Sequence, residues 1–219
     1  MIRQATGQSA PELVARIKDF IAQNQLAAGA AAGGLGTILL GTKTGRSLAL
    51  DAAKIGGLAL IGGLAYKAYQ NQTQGKPVPG ADALLAPPTA PAGSGFEPEV
   101  QTPDHALLYI RAMIAAAAAD GQIDEGEQEK IFGGLKQLGM SAHAVEFLQK
   151  EVEDPLTVED LVRASDTPKT ALEVYTAARV AIEPHSEKER QFLRQLRDGL
   201  NLDPNLAAQV DAQASGLKS

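Results

Sequence analysis

The chain has 219 residues, 20 basic and 26 acidic side chains, a net charge of -6, three histidines and no cysteine. Without cysteine there are no disulfides and no thiolate chemistry, and structural zinc would have only the histidines to draw on. The charge is lopsided: residues 1–70 are at +4 and residues 99–219 at -9. A basic stretch beside apolar surface suits anionic lipid, whereas a part at -9 is repelled by nucleic acid, so nucleic-acid binding by the second half is not expected.

Taken in chain order, Ser9 and Glu12 form a capping box ahead of Leu13, Ile17, Phe20 and Ile21 at helical spacing, which predicts an amphipathic helix over 10–24. The plainer reading is a surface helix docked on the next part of the chain; contact with a membrane surface is the alternative. This polar, amphipathic start is unlike a cleaved export signal, and none is expected. Residues 24–42 then run for nineteen positions without a charge. At about 1.5 Å per residue they reach about 28 Å, close to the roughly 30 Å hydrocarbon core of a bilayer. Gly29 and Gly33 sit four apart, as do Gly41 and Gly45, a spacing that lets helix backbones approach closely in lipid and favours self-association. A second small-residue segment, Ile55 to Tyr66, contains Gly56, Gly57, Gly62 and Gly63 and is too short to span a bilayer alone. Lys43, Arg46 and Lys54 between the two suit a headgroup surface. Membrane association, inserted or peripheral, is the expectation, with a flexible Gly/Ala-rich segment as the alternative. Nucleotide binding is not expected. Thr42 separates Gly41 from Lys43 where a phosphate loop needs them adjacent, and Leu39 stands where a dinucleotide fingerprint needs Gly or Ala.

Seven prolines lie between Pro77 and Pro103 in a run otherwise rich in Ala, Gly and Ser. Proline lacks an amide donor and biases its predecessor away from the helix, so the run predicts an extended, solvated linker. The predicted organisation is a Gly/Ala-rich helical region over 1–72, a Pro-rich linker over 73–103 and a compact all-helical domain over 104–214. Apolar periods in the last part begin with Leu107, Ile110 and Ile114 and the alanines 115–119, and continue with a second helix capped by Asp124 and ended by Gly139. Further periods cover 145–152, 158–164, 171–182, 192–200 and 206–212, with Pro155, Pro168, Pro184 and Pro204 near the breaks. No strand pattern competes, so the fold class is all-α, with six or seven short helices around one modest core.

One pattern is specific. Ala119-Asp120-Gly121-Gln122-Ile123-Asp124-Glu125-Gly126-Glu127, between an Ala-rich helix and Ile131, resembles the tellurite-resistance TerB-like family. Together with Gly62-Gly63-Leu64-Ala65-Tyr66-Lys67-Ala68-Tyr69-Gln70, the Pro-rich run and Leu200-Asn201-Leu202-Asp203-Pro204, most of the chain is similar to the YebE-like bacterial family of unknown function. The resemblance implies a helical TerB-like C-terminal domain, a bacterial inner-membrane location for some members and no established enzymatic activity. It also implies metal binding by acids that match Asp120, Asp124 and Glu127 here.

Read for their own chemistry, carboxylates at 120, 124 and 127 around Gly121 suit a hard divalent cation such as calcium, magnesium or manganese. They do not form an EF-hand, because Glu125 stands where that loop needs glycine and Ile131 where it needs a bidentate glutamate. A weaker second motif, Ala181 to Ser186, also precedes a capped helix, with Ser186 and Glu189 as the capping pair, and adds Glu183 and His185 as candidate ligands. The competing account is structural: Asp124 and Glu127 cap a helix and offset its dipole, and His185 is a solvated loop residue. Ser94 lies between two glycines of the linker with no base partner, so enzymatic activity is not expected. Three functions remain. They are a non-enzymatic membrane-associated protein presenting the helical module, with that module on the cytoplasmic side of a bacterial inner membrane; a soluble divalent-cation-binding module; and a protein–protein interaction domain.

Overall fold

A computed structural model describes residues 57–80, 89–97, 102–121 and 142–216. Among these it is all-helical: α1 (Gly57–Thr73), α2 (Pro103–Ala117), α3 (Ala142–Glu153), α4 (Val158–Ala164), α5 (Pro168–Ala181), α6 (Glu187–Gly199) and α7 (Pro204–Gly216). The expected helix over 10–24, the uncharged run 24–42 and the helix capped by Asp124 lie outside the described residues.

Helix starts follow the local chemistry. Thr102, Thr157, Thr167 and Ser186 each accept a hydrogen bond from the amide three residues on, and Pro103 and Pro168 occupy first-turn positions where no amide is needed. Ser186 and Glu189 make the reciprocal capping box expected of them. Asp203 accepts from the amides of Asn205 and Leu206 at the start of α7. At the end of α6, Asn201 turns left-handed (φ 52°), and the Leu202 amide reaches back to the Arg197 carbonyl at 3.1 Å, a Schellman-type stop.

Helix α5 is the centre of the bundle. Every residue from Thr170 to Ala181 is buried, and α1, α2, α6 and α7 all pack against it. Its closest partner is α2, where Ala106, Ala112, Ala115 and Ala116 face a helix that is itself rich in alanine, so the two backbones come close. Buried polar groups on α5 are satisfied: Thr176 Oγ1 donates to the Leu172 carbonyl, and the Tyr109 hydroxyl donates to Glu173 at 2.7 Å.

Helix α1 differs most from the sequence expectation. Residues 55–66 read there as part of the Gly/Ala-rich, membrane-facing region; the helix runs on to Thr73 and uses its apolar face on α5 and α7. Leu58, Ile61, Ala65 and Ala68 belong to the same core cluster as α2 and α5. The side-chain amide of Asn71 donates to Gln209 on α7 at 3.2 Å, and Gln209 in turn donates to the Lys76 carbonyl. The Pro-rich run departs from a fully solvated linker as well. Residues 73–78 are exposed, but Ala90, Phe96 and Glu97 are buried. The Phe96 carbonyl presses on α1 where a Cβ at Gly62 would overlap it, so glycine there is a packing requirement. Glu97 closes the Gly93–Gly95 turn by accepting from the Gly93 amide at 2.7 Å and the Ser94 hydroxyl at 2.9 Å. Hydrogen bonds from its own backbone amide, then from Gly93 and Ser94, hold its carboxyl below the usual carboxylate range.

Candidate functional site

Two loops carry the candidate ligands that the structure describes. The first comes after α2, whose last turn tightens through Ala119 N–H to the Ala116 carbonyl and Gly121 N–H to the Ala118 carbonyl, leaving Gly121 at φ +104° and Asp120 exposed. The second joins α5 to α6. Ile182 is extended, the His185 amide bonds the Glu183 carbonyl at 2.7 Å, and Ser186 then caps α6.

Lys188, in the first turn of α6, brings the loops together: its Nζ donates to the Asp120 carbonyl at 2.8 Å. Asp120 thus sits beside the motif that contributes Glu183 and His185. These two face each other, His185 Nε2 lying 3.6 Å from Glu183 Oε2, with both side chains open to water. Arg190 Nη1 donates to the carbonyls of Pro184 and His185 and fixes the loop from the α6 side. Arg194 and Arg190 also hold Glu187, and their hydrogen bonds, Arg194 first, keep its carboxyl below the ordinary range. Asp124 and Glu127 lie outside the described residues, and among the described residues no three of His, Asp and Glu gather as a metal cage. The described part of the site is therefore a pair of adjacent loops whose acids are interleaved with Lys188, Arg190 and Arg194.

A second polar constellation escaped the sequence reading. Arg179, buried on α5, donates to the Ile182 carbonyl at 2.8 Å and to Ser215 on α7 at 2.7 Å, and its Nε lies 3.3 Å from Asp211. The Tyr175 hydroxyl donates to the same Asp211. Burial, more than the neighbouring carboxylate, pushes the Tyr175 hydroxyl well above the ordinary tyrosine range; Tyr109 is raised in the same way, by burial and then by Glu173. Burial also raises the Asp211 carboxyl, and the Arg179 guanidinium partly offsets this. The signal in the sequence was Glu173 and Arg179 standing among apolar neighbours, Thr170 to Ile182, in a helix otherwise fit for full burial. This network clamps α5, the loop after it and α7, and so fixes the base from which the Glu183 and His185 loop departs.

No curated protein and no solved structure matches the chain. A family pattern does match, across residues 25–214, and so takes in the Gly/Ala-rich run, α1, the Pro-rich tract and the helices after it as one unit. The packing of α1 into the bundle gives that extent a physical sense, since α1 shares one core with the six helices that follow it. Described as proteins of unknown function, DUF533, this is the family to which the chain belongs.

Proposed function

We propose that the chain is a non-enzymatic, membrane-associated protein of the YebE-like type that holds a TerB-like helical module close to a lipid surface. The observation that carries this reading is the fate of the apolar segments. The apolar side of α1 is used inside the bundle, so residues 24–42 are the uncharged run left for lipid. No helix among the described residues is long and apolar enough to cross a membrane. Fourteen residues, 43–56, join the run to α1 and carry Lys43, Arg46 and Lys54 against Asp51. A basic flank on the bundle side favours the cytoplasmic face of a bacterial inner membrane. The glycine pairs at 29/33 and 41/45 favour self-association there. In fractionation, the full chain is expected in the membrane pellet, resistant to high salt and released by detergent, while a chain lacking residues 24–42 is expected in the supernatant. Recovery of the full chain without detergent would remove the membrane from this reading.

A second reading, a divalent-cation site, is supported by the bond from Lys188 to the Asp120 carbonyl, which brings Asp120 near the loop of Glu183 and His185. Asp120, Asp124, Glu127, Glu183 and His185 are its proposed ligands, and calcium, magnesium or manganese its proposed ions. A ligand at a hundred times its Kd stabilises by about 2.7 kcal/mol, so millimolar manganese or calcium is expected to raise the melting temperature of the full chain measurably. An unchanged Tm would end the cation reading.

A further inference from the structure

Charge and exposure single out one side of the bundle. Residues 52–81 carry three lysines, Lys54, Lys67 and Lys76, and no acid, in a chain whose net charge is -6. Among the described residues the large hydrophobic side chains that stand open to water are Tyr69, 47% exposed, and Val78, 44% exposed, and both fall in this stretch, on α1 and just beyond its end. Tyr69 belongs to a continuous aromatic patch: its ring and that of half-buried Tyr66 each lie 6.1 Å from the Phe96 ring. Lysines border the patch. Lys67 Nζ donates to Gln70 Oε1 at 3.1 Å, and the same amide donates to the Tyr66 hydroxyl at 3.3 Å, which ties an ammonium to the rim of the rings. Lys169 Nζ stands 5.7 Å from the centre of the Phe96 ring, and Lys76 is exposed next to Pro77 and Val78. The acids linked to the patch through Phe96 and Lys169 do not oppose these charges from the surface: Glu97 is buried in its own turn, and Glu173, 1% exposed, accepts from the Tyr109 hydroxyl.

We propose that the C-terminal half of α1 is the face of the bundle that lies on a bilayer, with Tyr66, Tyr69 and Val78 entering an anionic headgroup layer and Lys67 and Lys76 meeting its phosphates. Tyrosine has an apolar body and a polar tip, and beside lysine it settles at the level where hydrocarbon gives way to headgroups. Between the lysines stand Gln70, Gln72, Thr73 and Gln74, which can meet headgroups without desolvating a charge. The rest of the surface suits lipid less, because residues 99–219 are at -9 and are repelled by the same phosphates. This inference rests on the proposed membrane association and adds to it the side that faces lipid. Reach permits the arrangement: α1, with 17 residues, is about 25 Å long, and the fourteen residues 43–56 can extend to about 50 Å, so the helix can lie along the surface beside an inserted run.

Because the chain has no cysteine, one introduced thiol can carry a probe. Thr73→Cys is exposed and one turn beyond Tyr69; Gln195→Cys is exposed on α6, whose main packing partners do not include α1. Each is labelled in the full chain with an environment-sensitive fluorophore and mixed with vesicles of phosphatidylethanolamine and phosphatidylglycerol that carry a headgroup nitroxide. Emission from position 73 is expected to shift to the blue and to be quenched, while position 195 stays as in water. A lysine near an anionic surface shifts binding by roughly fivefold, so Lys67→Gln with Lys76→Gln is expected to lower the docked-to-undocked ratio, read from the quenching at position 73, by about 25-fold. High salt should act in the same direction. If the chain floats with the vesicles while position 73 is quenched no more than position 195, the lipid-facing patch is overturned and membrane association stands. Quenching at 73 that ignores both the lysine replacements and salt would overturn the headgroup attraction, and a chain that does not float with vesicles would end both readings.

Discussion

A chain that begins at residue 104 is expected to lose its cooperative unfolding transition. Without α1 the bundle no longer buries Leu58, Leu60, Ile61 and Leu64, each 5% exposed or less, and it uncovers their partners on α5 and α7. At about 1.5–3 kcal/mol for each large aliphatic side chain, the loss is about 6–12 kcal/mol, as large as the net stability of a typical domain. Urea unfolding monitored by circular dichroism tests it, with a chain beginning at residue 57 as the comparison. A sharp transition at the same midpoint in the shorter chain would show that the boundary at 104 read from the sequence marks a true folding unit. Gly62→Ala is the point-mutation counterpart. The substitution gains about 1 kcal/mol of helix propensity, but the new methyl meets the Phe96 carbonyl, a backbone group that does not rotate aside. Overpacking of about 1–3 kcal/mol outweighs the gain, so the midpoint falls. Gly80→Ala, where a Cβ meets nothing within 4 Å, should leave it nearly unchanged.

Arg179→Met is expected to cost about 2–3 kcal/mol near neutral pH, less than for a fully buried pair, because Asp211 is open to water on one side. Methionine fills much of the volume but leaves the Ile182 carbonyl and Ser215 without their donor and Asp211 without its cation. The defect should shrink on acidification. A carboxyl raised in the folded state contributes stability that is fully present below its unfolded value of about 3.8 and is lost as pH rises through its folded value. Removing Arg179 takes away the group that lowers Asp211, so the folded value climbs further and the variant keeps a neutral Asp211 to higher pH. Denaturation midpoints of the two proteins are therefore expected to converge between about pH 7 and pH 4. A gap that stays constant or widens across that range would contradict the assignment of Arg179 to Asp211.

The candidate loops show how far a linear reading reaches. That Ser186 and Glu189 would cap a helix was legible, because a capping box is completed within four residues and depends on no distant contact. That Lys188 would bond the Asp120 carbonyl, 68 positions away, was not legible, since nothing local to either residue specifies the other. For the same reason the pairing of Tyr109 with Glu173, 64 positions apart, and of Arg179 with Asp211 was not legible.

Composition and periodicity by themselves determined the helical class, the positions of α2 to α7 within a few residues and the cap of α6, because each depends on interactions within one or two turns. Tertiary structure alone decided what α1 is for. A run of Gly, Ala and Leu has the same pattern whether its close-packing partner is a helix in lipid or a helix in water, and only the contacts of Leu58, Ile61 and Gly62 with α5 and Phe96 separate the two.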